Sequence, residues 1–479
     1  MNISFHEFNS IMDNIFIVIL LALMVTYFGL GVLSILAMRK YLRRTSIQPI
    51  EDIIGSKYLP GISVIAPAYN EGLTIVENAR SLLSLSYADF EIIIVNDGST
   101  DNSLSKLIAA FKLIPVKYIT TASLPTQAIR NVYKSSNPAY SHLVVVDKVN
   151  GGKSDALNVG VNLSSKKLVL CIDVDCIIES DGLLKLVRPF LEEKEYRVVA
   201  VGGVIRVVNS CKIKEGKVVE VNLPDGWLER FQVVEYFRVF NIARMGWAHI
   251  RALLIISGAL GLFDKDLLIR AGGYTHGTVG EDMELVIKLH RYMCEVEKKK
   301  YVVEYIPDPI CWTEVPSDFK ILGKQRNRWG RGFLSTTIAH RKVLFNPKYG
   351  IIGMLSYPVT FFLEWVLLPI ELLGIGYIVY MFFTDQLNLP YFLLMFIALY
   401  SFFMMITLLS ILIEESTYHH YHKKIDVIKL VMIAMIEPFF YQPLNFYWTI
   451  KGNYDYFFKK GKHVWGSMER KGFTSEVKL

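Results

Sequence analysis

Asp173 and Asp175 stand one residue apart, just after the apolar run Leu168–Ile172. Carboxylates so spaced can both approach one hard cation, and Mg2+ or Mn2+ takes a few such oxygens together with phosphate oxygens. An ion held there would neutralise a diphosphate leaving group. Two other apolar runs end in polar clusters as well. Ile62–Ala66 is followed by Pro67-Ala68-Tyr69-Asn70-Glu71, and Glu91–Val95 by Asn96-Asp97-Gly98-Ser99-Thr100-Asp101. One such cluster is ordinary as a turn or helix N-cap. Three at the ends of neighbouring strands describe a binding edge.

Further along, Asn150-Gly151-Gly152-Lys153-Ser154 precedes a helical stretch, where a backbone loop and a lysine suit an anion. A Walker loop would need glycine at position 147, which is Asp147, so a P-loop triphosphatase is excluded. Gly280-Glu281-Asp282-Met283-Glu284 opens an amphipathic helix, where acidic residues also favour the helix dipole. Gln325-Arg326-Asn327-Arg328-Trp329 combines cations with a flat aromatic face. Beside a membrane such a cluster also serves as an interfacial anchor. His419-His420-Tyr421-His422 is read as a solvated cationic loop and not as a metal site.

These groups need a scaffold. From Gly61 the chain alternates short apolar runs with helical periods. Strands are expected at Ile62–Ala66, Glu91–Val95, Val116–Ile119, His142–Val146 and Leu168–Ile172, and helices at Leu73–Leu85 and Leu104–Phe111. That alternation predicts a doubly wound parallel α/β sheet. Ligands of such sheets sit beyond the carboxyl ends of the strands, where the polar clusters lie. Thr120–Ser141 has no clear period and reads as a surface loop.

The 479 residues carry 52 Lys+Arg against 45 Asp+Glu, a net charge of +7, with 52% apolar and only 20% charged residues. Mean hydropathy is +0.33. This excludes disordered, collagen-like and disulfide-stapled classes, and +7 is too modest to argue for nucleic acid. Ile15–Met38 is free of charge and long enough to cross a hydrocarbon core of about 30 Å. Ile351–Thr384 is interrupted by Glu364 and Glu371, Leu389–Ile413 is charge-free, and Val427–Ile450 carries Lys429, Glu437, Pro438 and Pro443. Arg39, Lys40, Arg43 and Arg44 follow the first run, so the positive-inside rule puts the middle domain in the cytosol. The five cysteines would then be reduced thiols. The basic tail from Lys459 onward also prefers the inside, which three full C-terminal crossings would forbid. The Pro-interrupted 427–450 segment is therefore expected to be re-entrant or interfacial.

As a set, Tyr69-Asn70-Glu71, Asn96-Asp97-Gly98-Ser99, Gly152-Lys153, Asp173-Val174-Asp175, Glu281-Asp282 and Gln325-Arg326-Asn327-Arg328-Trp329 resemble glycosyltransferase family 2. The branch is that of membrane polysaccharide synthases, most like the poly-β-1,6-N-acetylglucosamine type. Ser257–Phe263, Ala271–Tyr274 and Trp465–Gly472 add to this likeness, and hyaluronan, chitin and cellulose synthases are more distant relatives. The resemblance implies a GT-A doubly wound mixed sheet on the cytosolic face of a multi-pass inner-membrane protein. It implies that Asn70, Glu71, Asp97, Lys153 and Asp173 bind the nucleotide donor, and that Asp173 and Asp175 hold Mg2+ or Mn2+. Asp282 would be the general base, and Glu281, Gln325, Arg328 and Trp329 would meet the diphosphate and the acceptor. The implied reaction is an inverting transfer from a UDP-sugar to a growing glycan, fed through the membrane. The expected layout is an anchor over 1–50, a catalytic domain over 51–316, an interface helix over 317–345, membrane segments over 346–455 and a tail over 456–479. Glu364, Glu371 and Glu437 could line a channel, completed by a small accessory subunit or by homo-oligomerisation. A single-sugar transferase and a catalytically silent glycan-binding subunit are the competing readings. Retention of Asp173, Asp175, Asp282 and Arg328 together speaks against the latter.

Overall fold

The computed structural model describes residues 5–47, 58–118, 123–192, 195–214, 216–421 and 423–459. Trp465–Gly472, most of the basic tail and His422 lie outside the described residues.

The sheet begins with β1 (Ile62–Ala68), buried at every position. Its unbroken apolar run is what a strand covered on both faces requires. Parallel to it lie β2 (Phe90–Asn96) and β6 (Leu168–Ile172), and β5 (Leu143–Lys148) continues parallel beyond β2. Helices of matching period cover the faces. In the Ile75–Leu83 helix, Ile75, Ala79 and Leu82 are buried on one stripe. On the far side of β6 the direction reverses: β11 (Leu260–Asp264) runs antiparallel to both β6 and β8 (Arg197–Val207). β12 (Tyr301–Thr313) pairs parallel with β8, and the short β7 (Ile177–Ile178) closes that edge. The opposite edge is finished by β3 (Leu113–Val116) and β4 (Ile129–Ser135), both antiparallel. The order is β3-β4-β5-β2-β1-β6-β11-β8-β12-β7, and β9 (Lys212–Lys214) pairs antiparallel with β10 (Lys217–Glu220) in a separate ribbon. The all-parallel expectation is thus corrected to the mixed GT-A sheet that the resemblance implied.

Two local expectations also change. The third strand lies at Leu113–Val116, ahead of the expected Val116–Ile119. The presumed loop over 120–141 contains β4, whose polar residues leave only Val132 buried and so mask the strand period.

Among the described residues, four helices are long and apolar enough to cross a membrane: Asn9–Ile47, Ile352–Phe383, Leu389–Thr417 and Lys424–Phe458. The last is one continuous helix, so of the two expectations for 427–450 the re-entrant one is not met. Its two prolines each remove one backbone donor, a cost offset by packing along the helix. It is more deeply packed than the other three. Near its start, Leu430 and Ile433 join a cluster with Val207 and Phe231, and near its end Trp448 packs in the same cluster with Leu322. This helix therefore follows the α/β domain rather than leaving it.

Two arginine–carboxylate pairs join the α/β domain to the apolar helices, and a third braces the junction through Tyr441. Arg206 of β8 donates to Glu414 of the Leu389–Thr417 helix at 2.9 Å. Arg238 grips Glu437, one bond measuring 2.6 Å. Arg326 donates to Glu235 at 2.6 Å and to the Tyr441 hydroxyl at 2.9 Å. Glu437, expected to line a channel, is fully buried in its pair, while Glu364 and Glu371 are accessible.

Candidate active site

Parallel β5, β2, β1 and β6 present their carboxyl ends side by side, and the polar clusters meet there. After β1, Asn70 takes a left-handed conformation (φ 57°). Its side-chain carbonyl accepts from the Thr100 amide at 2.8 Å, and its own amide donates to Ser99 at 3.0 Å. The loops after β1 and β2 are therefore one unit. The Glu71 carbonyl accepts the first amides of the following helix.

After β2 comes Asp97, with 3% of its surface exposed. It accepts from the amides of Gly151 at 3.0 Å and Gly152 at 2.8 Å, and pairs with Lys148. The turn works because Gly98 (φ 67°) lets the backbone of Asn150 approach and Gly152 (φ 86°) turns the chain into the Lys153–Leu163 helix. That turn places Lys153 at the helix start, aimed across the sheet edge. Its ammonium lies 2.6 Å from Asp173 and 3.1 Å from Glu281, and donates to the Gly258 carbonyl at 3.2 Å. Burial pulls the Lys153 pKa down, but the two carboxylates outweigh it and hold the group above the ordinary lysine range. Burial raises Glu281, against the opposing charges of Lys153 and Arg328.

Asp282 stands beside this bridge in the Glu281–Tyr292 helix. Its carboxylate accepts from the Gly258 amide at 3.1 Å and the Met283 amide at 2.8 Å. Gly258 thus joins Asp282 and Lys153 through one residue. The start of this helix touches the Phe319–Ala339 helix, where a Cβ on Gly280 would lie 3.0 Å from the Gly332 backbone. The Phe319–Ala339 helix carries Gln325, Arg328 and Trp329 on one face, at the three- and four-residue spacing of helical neighbours. Arg328 is near enough for its charge to act on both Lys153 and Glu281. Trp329 is exposed, with the Arg326 guanidinium 4.1 Å from its ring centre. The Gln325 carbonyl oxygen is buried without a hydrogen-bond partner.

The edge therefore brings Lys153, Asp173, Glu281, Asp282 and Arg328 together. Asn70 and Asp97 are spent on internal bonds that shape the loops around them. A divalent ion is tested by the donor set. Among the described residues no three His, Cys, Asp or Glu side chains converge as a cage. At the end of β6, Asp173 is partly exposed and Asp175 is buried, so an ion taking oxygens from this pair would be completed by water and a ligand's phosphates.

Reading the sequence missed Lys148, Asp155 and the first arginine of the last motif. Lys148 ends a strand run and Asp155 sits in a helix's first turn, so neither position stood out. Arg326 was seen only as part of a cationic cluster, whereas it is buried and braces three helices.

The model of a family described as glycosyltransferase like family 2 matches residues 60–332. A poly-beta-1,6-N-acetyl-D-glucosamine synthase of Staphylococcus epidermidis is 28% identical over 332 residues, covering 67% of this chain and 69% of that protein. A synthase of the same name from Staphylococcus aureus (strain COL) is 29% identical over 275 residues, covering 57% of this chain and 55% of its own length. The chain thus spans little more than half of the latter. Among solved structures, a mannosyltransferase of Pyrobaculum calidifontis in complex with GDP-Man and Mn2+ superposes with a TM-score of 0.49 at 16% identity, covering 90% of this chain and all of that one.

Proposed function

Because this chain belongs to glycosyltransferase-like family 2, we propose that it is a membrane-embedded, inverting, metal-dependent transferase that polymerises N-acetylglucosamine from UDP-N-acetylglucosamine into a β-linked exopolysaccharide. The observation that carries this reading is the Lys153 bridge between Asp173 and Glu281, with Asp282 beside it through Gly258. The named synthases at 28–30% identity suggest the sugar.

One in-line displacement suffices. The acceptor hydroxyl oxygen attacks the anomeric carbon as the bond to the diphosphate oxygen breaks, and its proton passes to the Asp282 carboxylate. The charge gained by the leaving diphosphate is met by Lys153 and Arg328, the latter with a planar fork suited to phosphate oxygens. Mg2+ or Mn2+ held by Asp173 and Asp175 would supply further positive charge at the same diphosphate. Trp329 offers its exposed face to the acceptor ring. The catalytic domain faces the cytosol of the inner membrane, and the four apolar helices, with a partner subunit or a second copy, pass the glycan outward. Export needs such a path because sugar hydroxyls lose their water in hydrocarbon.

The test is protein purified into lipid nanodiscs with UDP-N-acetylglucosamine and Mg2+, read by UDP release and product mass. A ladder of N-acetylglucosamine products is expected. Products one sugar longer than the acceptor would replace polymerisation with single transfer, and no turnover with any UDP-sugar would overturn the enzyme reading.

A further inference from the structure

Lys148 is the last residue of β5, and no part of its side chain reaches solvent. Its ammonium pairs with Asp97, donates to the Val149 carbonyl at 2.6 Å, and forms an ion pair with Asp155 at 2.6 Å. Both carboxylates are nearly as buried as the lysine. An uncompensated charge at such depth is strongly unfavourable, so the cluster stands or falls as a unit. Each carboxylate in turn holds backbone. Asp97 takes the Gly151 and Gly152 amides, and the Asn150 side chain donates to the Asp97 carbonyl at 2.7 Å. Asp155 takes the Gln127 amide at 2.9 Å and lies 3.4 Å from His276, in the loop that leads to Glu281 and Asp282. One buried cation therefore ties together the loop after β2, the loop before Lys153, the segment around Gln127 and the loop before Asp282.

We propose that Lys148 is a positioning residue for the nucleotide donor, acting through Asp97 to fix the Asn150–Gly152 loop and with it the aim of Lys153. It touches no reacting atom. Without it, Asp97 and Asp155 face each other with no counter-charge between them, and the loop amides lose their rigid acceptor. This inference rests on the donor-binding role proposed above for that loop.

The experiment measures uridine diphosphate binding by calorimetry, together with donor KM, kcat and Tm, on full-length protein in nanodiscs. Two variants are compared: Lys148→Met, and Lys148→Met with Asp155→Asn, which restores the wild-type charge sum of the cluster. The expectation for Lys148→Met is at least a tenfold loss of uridine diphosphate affinity, a matching rise in KM, and a lower kcat because Lys153 also meets the leaving diphosphate. The double variant should fold even if the single one does not, and should keep at least a threefold rise in KM. A lower Tm with unchanged KM and unchanged affinity in the double variant would overturn the positioning role and leave Lys148 purely structural. Wild-type protein that binds no uridine diphosphate would instead defeat the functional reading itself.

Discussion

Asp282 uses its two oxygens on the Gly258 and Met283 amides, so its orientation is set before any acceptor arrives. Asp282→Asn preserves shape but takes no proton, and its amide NH2, a donor, replaces one of the two oxygens that accept from backbone. It should lower kcat by about 10²- to 10⁴-fold, the usual worth of a general base. Uridine diphosphate affinity should stay within twofold, because Asp173 and Lys153 are untouched. Unchanged turnover would remove Asp282 from the mechanism. A second residue-scale consequence concerns His290, on the helix that carries Asp282. Its ring lies 2.8 Å from the Leu253 carbonyl and 2.9 Å from the Tyr301 hydroxyl. Burial lowers its pKa to about 4, opposed by the bond to Leu253. The folded state thus binds this proton less readily than the unfolded chain. Stability is unaffected above about pH 6.5 and is lost as pH falls toward 4, with about 2 kcal/mol gone by pH 5. Thermal melts from pH 7 to pH 5 should show a drop for the wild type that shrinks in His290→Gln. Equal drops would refute the assignment.

At the scale of elements, two helices must stay in register for the site to exist. The Glu281–Tyr292 helix carries Asp282, the Phe319–Ala339 helix carries Arg328 and Trp329, and they touch backbone to backbone at Gly280 and Gly332. Gly280→Ala sets a methyl against backbone that cannot swing away, an overpacking that costs about 1–3 kcal/mol. It should reduce kcat while the donor-binding loops keep their affinity. Full activity in Gly280→Ala would mean that the helices slide freely. The elements differ in how well the sequence announces them. β1, β2, β5 and β6 are nearly unbroken apolar runs, and their trailing polar residues pointed correctly to one edge. The strands beyond β6 were not read, because β11 reverses direction and β8 and β12 follow long connections that local periodicity does not bridge. β4 escaped because its side chains face solvent at most positions. Within the site, residue types at strand ends were legible, but the buried cluster around Lys148 was not. It depends on Asp97 and Asp155, which lie far from each other in sequence and meet only once the sheet is formed.

For the whole molecule, the α/β domain and the apolar helices share two charge pairs, Arg206–Glu414 and Arg238–Glu437, and a common hydrophobic cluster. Glu437→Gln strips the negative partner from Arg238 in a site where Glu437 has no exposed surface. Breaking such a pair costs about 3–5 kcal/mol, because the remaining charge is stranded. A clear fall in Tm in detergent is expected, largely recovered when Arg238→Met is added to Glu437→Leu. A Tm unchanged in Glu437→Gln would show that the pair is not holding the junction. The same junction bears on how the protein can be handled. Excising residues 51–316 would strip Arg206 and Arg238 of their counter-ions and separate Glu235 from Arg326. It would also uncover Leu223, Phe231 and Val234 to water. Truncation to this unit is expected to give poorly soluble protein, so its chemistry is best studied with the apolar helices attached.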